Sequence, residues 1–461
     1  MLNLLYLLAA VAFIFGLKML SSPRTAVPGN VLAATGMLVA VVATLLAGGV
    51  VDLPMVLAGI AAGALVGTLL AVLTPMTAMP EMVALLNGFG GAASALVAAA
   101  EMLRVHGVEE ESFALVPVIA IAASLLIGAV TFSGSMVAFL RLREWLIGGR
   151  ATVFAGQHLL NAALFLAALA AAVVFARHPQ PGVAVYALVG IALLLGVLLV
   201  IPIGGADMPV VICLLNSYSG IAAATTGFVI DNIGLIISGS LVGASGIILT
   251  NIMCKAMNRS FTNVLFGGFG ATVSGGAGGA VATARPVRSG DAEEAAMILE
   301  AARSVVIAPG YGMAVAQAQH AVKELADELE KRGVDVKYAI HPVAGRMPGH
   351  MNVLLAEANV PYEQLYEMDQ INPSFSETDA VLVIGANDVV NPAAKTDPAS
   401  PIYGMPVLDV EKARTVMVIK RSLNPGFAGI DNPLYYLPNT MMLFGDAKKM
   451  ALALAQAVKN L

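Results

Sequence analysis

The sequence predicts a polytopic α-helical membrane domain of about nine transmembrane helices, followed by a soluble α/β Rossmann-like domain with a parallel sheet. Charge is the first observation behind this fold class: residues 1–262 hold only 9 Lys/Arg and 9 Asp/Glu, which leaves 16 and 21 for the rest. The second observation is the overall composition, with 58% hydrophobic and 12% charged residues, against roughly 25% charged in soluble domains. The third observation is a Gly310-Tyr311-Gly312 turn after an apolar run. We expect residues 1–262 to lie in a bilayer, 263–286 to be a linker and 287–461 to be soluble.

The membrane half contains repeated apolar segments separated by short polar or Pro/Gly breaks. A helix needs about 20 apolar residues to cross the hydrocarbon core of a bilayer. The first segment lacks a basic start, so it predicts a span and not a cleaved signal. The predicted spans are approximately 2–20, 29–48, 54–74, 81–101, 113–140, 152–176, 183–203, 209–230 and 233–254. Their high Gly and Ala content favours tight helix packing.

Basic residues are unevenly divided between the two sets of loops that nine spans create. Seven fall on the face that carries the C-terminal domain: Lys18, Arg24, Arg141, Arg143, Arg150, Lys255 and Arg259. Only Arg104 and Arg177 fall on the opposite face. Because Lys and Arg concentrate in cytoplasmic loops, the soluble domain is expected to be cytoplasmic in a bacterium or matrix-facing in an organelle.

A few polar groups within or beside the spans are candidates for function, because such groups are costly in a bilayer. Asp207 opens the eighth span, where it either caps the helix start or takes part in energy coupling. Asn87 and Asn216 lie near the middle of the fourth and eighth spans. They could face each other across water, either as interhelical hydrogen bonds or as the lining of a proton path. No span combines a mid-depth acid with a clear basic partner, so an obvious proton relay is missing.

Two classes of site are excluded by composition. The formal net charge of −5 predicts no nucleic-acid partner. Cys213 and Cys254 lie far apart in apolar segments without metal-ligand spacing, so we expect buried, inert thiols and no metal site.

The linker contains Gly275-Gly276-Ala277-Gly278-Gly279 within a Gly, Ala, Ser and Thr-rich stretch, 267–284. Such composition is typical of a flexible tether. A tether predicts a soluble domain that moves as a unit.

The soluble half begins with the signature of a dinucleotide-binding unit. A buried strand at 304–309, Gly310-Tyr311-Gly312 and a helix at 313–332 give the strand, Gly turn and helix of a Rossmann fingerprint. The glycines permit the tight turn and let backbone N–H groups approach a phosphate at the helix start. The third fingerprint position is Val315 and not Gly.

Charge at the strand ends favours NADP over NAD. The strand at about 334–340 ends in His341, where NAD-binding proteins usually place an acid for the ribose. Lys420 and Arg421 end a later strand at 415–419, and they are either phosphate ligands or an ordinary solvated pair. Further loops after strands, around Arg346 and around 385–392, converge on the same ligand. No second Gly-rich fingerprint or flavin signature predicts an electron donor site within the chain.

These motifs together resemble the beta subunit of the proton-translocating NAD(P) transhydrogenase family over essentially the whole chain. In the membrane half, the resemblance is carried by Gly204-Gly205-Ala206-Asp207-Met208-Pro209-Val210-Val211, Leu215-Asn216-Ser217-Tyr218-Ser219-Gly220 and Met253-Cys254-Lys255-Ala256-Met257-Asn258-Arg259-Ser260. In the soluble half, it is carried by Pro309-Gly310-Tyr311-Gly312-Met313-Ala314-Val315-Ala316-Gln317-Ala318-Gln319, Gly385-Ala386-Asn387-Asp388 and Lys420-Arg421-Ser422.

The resemblance implies a function divided between subunits. Hydride would pass from NADH on an alpha subunit to NADP⁺ on this chain, while protons move inward across a bacterial inner membrane. The alpha subunit would also supply further transmembrane helices, and two alpha-beta units would form a dimer in the lipid bilayer. The chain would use NADP(H), with NAD(H) on the partner, and neither metal nor flavin. NADP would lie reversed relative to ordinary Rossmann enzymes, beneath a lid at 421–432.

The resemblance also implies the site residues. Arg421 would bind the 2′-phosphate, and Asp388 would sense protons near the nicotinamide. Asn87 stands where some members have a histidine, which suggests that the titrating group comes from the alpha subunit. The proton path would include Asn87, Asp207 and Asn216. The implied cofactor contacts are Tyr311, Val343, Ala344, Gly345, Arg346, Met347, Pro348, Gly385, Ala386, Asn387, Asp388, Val389, Gly404, Met405, Lys420, Arg421, Ser422, Leu423, Asn424, Pro425, Gly426, Phe427, Asp446 and Ala447.

Two other classes of protein share the layout of a membrane domain joined to a Rossmann-like domain. A transporter or channel with a dinucleotide-sensing domain would keep transporting without NADH. A self-contained membrane dehydrogenase would need its own flavin or quinone site.

Overall fold

The computed structural model describes most of the 461 residues. The described residues are 2–20, 22–46, 53–106, 115–143, 152–204, 207–258, 260–261, 264, 286–400, 402–426 and 429–461. They divide between two compact units, one drawn from residues 1–251 and 261–272 and the other from 252–260 and 273–461. The predicted tether at 267–284 lies outside the described residues, as do Arg150, Arg259 and Phe427.

Nine helices among the described residues are long and apolar enough to cross a membrane, which confirms the predicted fold class. They are α1 (Leu2–Leu20), α2 (Pro23–Leu46), α3 (Leu53–Leu73), α4 (Met79–His106), α5 (Leu115–Leu142), α6 (Gln157–Arg177), α7 (Val183–Val200), α8 (Met208–Val229) and α9 (Ile233–Ala256). The largest difference from the prediction is at α2, which begins at Pro23 and includes Pro28. Pro23 is tolerated at the first helical position because the first N–H groups have no intrahelical acceptor, whereas Pro28 lies inside the helix and removes the hydrogen bond to the Arg24 carbonyl.

Glycine sets the closest approach of the membrane helices, as the composition predicted. Gly91 on α4 and Gly128 on α5 face each other, and a Cβ added to Gly128 would lie 2.6 Å from the Gly91 carbonyl oxygen. On α8, a Cβ at Gly220 would lie 2.3 Å from the backbone nitrogen of Gly243 on α9. A side chain at any of these positions would force the helix backbones apart. Cys213 and Cys254 are buried and unoxidised, as expected.

The soluble unit contains a six-stranded parallel sheet with the order β3-β2-β1-β4-β5-β6. The strands are β1 (Ser304–Pro309), β2 (Asp335–Ile340), β3 (Leu365–Glu367), β4 (Ala380–Ile384), β5 (Thr415–Lys420) and β6 (Thr440–Phe444). The central strand β4 is buried at all five residues, as expected for a parallel strand covered on both faces. The order reverses between β1 and β4, and ligands bind at such a point outside the carboxyl ends of the strands.

Seven α-helices among the described residues of this unit precede, connect or follow these strands. They are α10 (Ala292–Ala301), α11 (Tyr311–Val315), α12 (Gln319–Lys331), α13 (His350–Glu357), α14 (Met368–Ile371), α15 (Ala393–Thr396) and α16 (Ala447–Asn460). The continuous helix predicted at 313–332 is wrong. Two helices, α11 and α12, occupy this stretch, and between them Gln317 has a φ of 48°. A left-handed residue cannot continue a right-handed helix, so the chain turns after one short segment.

Candidate functional site

The loops that follow β1, β2, β4, β5 and β6 lie at the carboxyl edge of the parallel sheet. All predicted cofactor contacts within the described residues belong to these loops or to the segment at 404–405. Several of them, including Ala344, Val389 and Met405, are buried at the base of the edge. Val343 and Leu423 are partly buried against the hydrophobic core cluster that includes Val389 and Met405.

Glycines bring the loops after β1 and β4 into direct backbone contact. A Cβ on Gly310 would lie 2.4 Å from the Ala386 Cα, and one on Gly312 would lie 2.7 Å from the Gly385 Cα. Gly310 N–H donates to the Ile384 carbonyl and Gly312 N–H to the Gly385 carbonyl, both at 2.9 Å. These two N–H groups are therefore occupied, and the approach of other backbone N–H groups to a phosphate at this helix start stays a prediction.

His341 orients the loop after β2. Its Nδ1 accepts a hydrogen bond from Val343 N–H at 3.2 Å, so its Nε2–H donates to the Pro406 carbonyl at 2.8 Å. This bond ties the loop to the segment that contains Gly404 and Met405. Burial lowers the pKa of His341 to about 4, against the opposing effect of the Pro406 carbonyl. The imidazole is therefore neutral at pH 7 and presents no charge to a ligand.

A second buried histidine, His350, shapes the turn around Arg346. His350 Nδ1 accepts from the Arg346 backbone N–H at 2.9 Å. Gly345 has a φ of 111°, and a Cβ there would lie 2.5 Å from that ring nitrogen. Burial, with a smaller contribution from the Arg346 charge, lowers the pKa of His350 to about 4. The Arg346 guanidinium carbon lies 4.6 Å from the centre of the Tyr311 ring, so this cation is held beside the Gly turn.

The loop after β4 meets the predicted lid at Gly426. A Cβ on Gly426 would lie 2.5 Å from Asn387 Nδ2 and 2.9 Å from Asp388 Oδ1. The far end of the lid is bonded to the same loop, because Asn432 Nδ2 and Tyr435 OH both donate to Asn387 Oδ1. Lid and loop therefore form one hydrogen-bonded assembly.

The two cations at the end of β5 have different environments. Lys420 is half-buried, its Nζ donates to the Asn424 carbonyl, and it lies 5.2 Å from the centre of the Tyr435 ring. Burial lowers the pKa of Lys420, while Asp388 and Asp431 oppose this effect. Arg421 and Ser422 are exposed, and Ser422 Oγ accepts a long bond from Asn424 N–H at 3.4 Å.

Asp446, which follows β6, caps the N-terminus of the last helix. Its carboxylate accepts hydrogen bonds from Lys448 and Lys449 N–H, both at 3.1 Å, and caps α16. Ala447 begins this helix and is buried. The cap places the positive end of the α16 dipole at the carboxyl edge of the sheet.

In the membrane unit, Asn87 joins three helices but does not pair with Asn216. Asn87 Nδ2 donates to Ser135 Oγ on α5 at 3.0 Å, and its Oδ1 accepts from Ser219 Oγ on α8 at 2.7 Å. Asn216 lies about one turn before Ser219, and its side chain is exposed. The expectation that the two asparagines face each other is therefore wrong, because helix rotation places Ser219 opposite Asn87.

Asp207 lies at the start of α8, where the sequence placed it, and only 3% of its surface is exposed. Its carboxylate makes no capping hydrogen bond to the helix. The capping role is therefore wrong, because the residue adopts a helical backbone conformation with φ −92° and ψ −2°, whereas capping residues are usually extended.

Sequence reasoning placed Asn432 at the end of the predicted lid, but it did not identify Asn432, His350 or Tyr435 as contact residues of the site. Asn432 and Tyr435 contact Asn387 across 45 and 48 positions. Neutral side chains at such separations leave no local pattern. His350 directly follows the Arg346 loop, and this position in the sequence could have indicated that it belongs to the site.

Comparison with known proteins gives a consistent result. The family model of the NAD(P) transhydrogenase beta subunit matches residues 2–457. A relative from Rhodospirillum rubrum, named NAD(P) transhydrogenase subunit beta, is 52% identical over 456 residues, which cover 98% of each chain. A second relative of the same name, from one strain of that species, has the same identity and coverage. The similarity spans the membrane helices and the soluble unit alike.

Proposed function

Because this chain belongs to the NAD(P) transhydrogenase beta subunit family, we propose that it binds NADP(H) and accepts hydride from NADH on an alpha subunit, coupled to inward proton movement. Family membership makes the chain an oxidoreductase subunit that uses nicotinamide dinucleotides with an alpha partner. We assign proton translocation to residues 1–262, a flexible linker to 263–286 and NADP(H) binding to 287–461. The chain would lie in a bacterial inner membrane, with its soluble domain cytoplasmic.

The observation that carries the choice of NADP is the pair of cations at the carboxyl end of β5. Arg421 is exposed at this edge, and Lys420 is half-buried beside it. The residue at the end of β2 is neutral His341, so no carboxylate there repels a phosphate. A guanidinium offers paired donors that match phosphate oxygens. We assign the ribose 2′-phosphate to Arg421.

Two features of the carboxyl edge fit a bound dinucleotide. Gly426 has no side chain, and a Cβ there would collide with Asn387 and Asp388. The absence of that Cβ lets the lid approach this loop closely. Asn387 Nδ2 is buried and has no acceptor among the residues that the structure describes. A buried donor without an acceptor costs about 1–3 kcal/mol, and an oxygen of the dinucleotide would relieve that cost.

When bound, NADP⁺ would supply the hydride acceptor of the reaction. The residues of this chain bind and orient the dinucleotide and exclude water. We assign the proton-linked role to Asp388, because it lies beside the lid at Gly426 and acts on Lys420 electrostatically. Protonation of this carboxylate would remove a charge from the base of the lid.

Proton movement would use Asn87, Asp207 and Asn216 together with a titrating group from the alpha subunit. Asn87 joins α4, α5 and α8, so a rearrangement of any one of these helices changes its bonds. The exposed amide of Asn216 offers a polar group to helices from the partner. Coupling between the proton path and the NADP site must be reciprocal, so that protonation changes NADP(H) affinity and the redox state of NADP changes proton affinity.

The test is Arg421→Ala in the purified chain with its alpha partner. A charge-assisted bond contributes about 1.5–3 kcal/mol, so affinity for NADP⁺ should fall roughly 10- to 100-fold. Affinity for NAD⁺, which lacks the phosphate, should not change. Arg414→Ala is the matched control, because Arg414 directly precedes the same strand at the opposite edge, where it pairs with Asp379 at 2.8 Å. Isothermal titration calorimetry measures both affinities.

An Arg421→Ala protein that keeps the wild-type preference for NADP⁺ over NAD⁺ would overturn the phosphate assignment. Transport that continues without NADH would instead support a transporter with a dinucleotide-sensing domain.

A further inference from the structure

The side-chain amide of Asn387 is held by Asn432, the last residue of the lid, and by Tyr435, which follows the lid. Its Oδ1 accepts from Tyr435 OH at 2.5 Å and from Asn432 Nδ2 at 3.1 Å. Asn432 Nδ2 also donates to the Asn387 backbone carbonyl at 3.1 Å. Asn432 and Tyr435 are each only 1% exposed, so water does not compete for these bonds.

The direction of each amide is determined by its neighbours. Leu434 N–H donates to Asn432 Oδ1 at 3.0 Å, so Asn432 must turn its Nδ2 toward Asn387. Asn387 must then turn its Oδ1 toward Asn432, because two amide nitrogens cannot bond each other. The Asn387 Nδ2 donor consequently faces the opposite way, toward Gly426.

The C-terminal end of the lid is anchored to the same loop by a separate bond. Asn391, which is fully buried, donates from Nδ2 to the Asp431 carbonyl at 3.1 Å. In contrast, Gly429 has a φ of 69° with open space around it. The end of the lid that holds Asn387 is therefore bonded to this loop at both Asp431 and Asn432.

We propose that Tyr435 and Asn432 are positioning residues that fix the amide of Asn387, so that its Nδ2 donates to an acceptor oxygen of the bound dinucleotide. This inference rests on the proposed NADP site and deepens it. Neither residue touches the dinucleotide. Both act through Asn387, whose Nδ2 they turn toward Gly426 in the lid.

The experiment measures release of NADPH from the full chain assembled with its alpha partner, by stopped-flow fluorescence after displacement with excess NADP⁺. Tyr435→Phe removes one hydroxyl and preserves the ring. Release should become roughly two- to tenfold faster, the range expected for one neutral hydrogen bond. Tyr436→Phe is the matched control, because its hydroxyl bonds the exposed Asp431 carboxylate at 3.1 Å, and its release rate should equal that of the wild type.

A double-mutant cycle separates positioning from general loosening of the domain. In an Asn387→Ala background, Tyr435→Phe should have no further effect on NADPH release, because the group through which it acts is gone. Equal acceleration in both backgrounds, or unchanged release in Tyr435→Phe alone, would overturn the inference. Failure of the wild-type assembly to bind NADPH would instead refute the proposed function, so the two failures are distinguishable.

Discussion

Gly385 is the residue whose substitution should most directly disrupt the carboxyl edge. It follows β4 with a φ of 67°, and a Cβ there would lie 2.4 Å from Met313 N and 2.5 Å from the Gly312 carbonyl carbon. These neighbours are backbone atoms, so no side-chain rotation can relieve the contact. Gly385→Ala must therefore shift either the Gly turn after β1 or the loop that carries Asn387 and Asp388.

The cost of Gly385→Ala has two parts. A left-handed conformation costs a residue with a Cβ about 1–2 kcal/mol, and forcing a methyl group into a filled space costs about 1–3 kcal/mol more. Gly333→Ala isolates the first part, because Gly333 has a φ of 86° but no atom within 4 Å of the added Cβ. We expect a total of about 2–5 kcal/mol for Gly385→Ala and about 1–2 kcal/mol for Gly333→Ala.

The assay is NADP⁺ affinity by calorimetry, together with hydrogen exchange of the loop at 385–391, in the full chain with its alpha partner. If only the native loop conformation binds NADP⁺, the apparent affinity is proportional to the fraction of molecules that keep this conformation. Gly385→Ala should lose at least about tenfold in affinity and exchange faster at 385–391. Gly333→Ala should keep its NADP⁺ affinity. Wild-type affinity and exchange in Gly385→Ala would refute the close packing of the two loops.

Three further predictions follow from individual contacts. Burial lowers the pKa of His341 and of His350 to about 4 in the folded protein, whereas the unfolded value is about 6.5. Below pH 6.5 the unfolded chain therefore binds more protons than the folded one. The free energy of unfolding falls as the pH drops from 6.5 toward 4, by up to about 3 kcal/mol per histidine. His341→Gln should halve the increase in exchange of the 341–350 loop between pH 7.5 and pH 5, and an unchanged acid response would contradict this. Asp446→Ala removes two capping bonds from α16 and should cost about 0.5–2 kcal/mol, seen as faster exchange at 447–460; equal exchange would argue against the cap. Asn87→Leu leaves the hydroxyls of two serines without their amide partner, so the melting temperature of this variant in detergent should fall. The melting temperature of Asn216→Leu should not fall. Equal melting temperatures for the two variants would contradict a bridging role for Asn87.

The architecture was predictable because it depends on composition over long windows. Nine apolar segments and a strand followed by a Gly turn are local signals, and the observed spans lie close to the predicted ones. The break at Gln317 was not predictable, since it depends on a single left-handed residue in a stretch of good helix formers. The prediction followed helix propensity, which is a weak guide to the residue at which a helix is interrupted.

The strand-end loops of the candidate site were predictable, but their internal bonding was not. Parallel strands present their carboxyl ends at one edge, so loop positions follow from strand positions. Which donor pairs with which acceptor depends on side-chain direction, as the pairing of Asn87 with Ser219 and not Asn216 illustrates. The bonds from Asn432 and Tyr435 to Asn387 connect distant, uncharged residues, and no sequence pattern encodes such contacts.

The central claim is that NADP(H) binding by this chain is coupled to proton movement across its membrane domain. The most direct measurement reconstitutes the chain with its alpha partner in sealed vesicles, with the soluble domains outside, and follows NADP⁺ reduction by NADH together with lumenal pH. Protons should move from the lumen to the outside, so lumenal pH should rise only while NADPH is being formed. NADPH formation in sealed vesicles with no change in lumenal pH would contradict the claim.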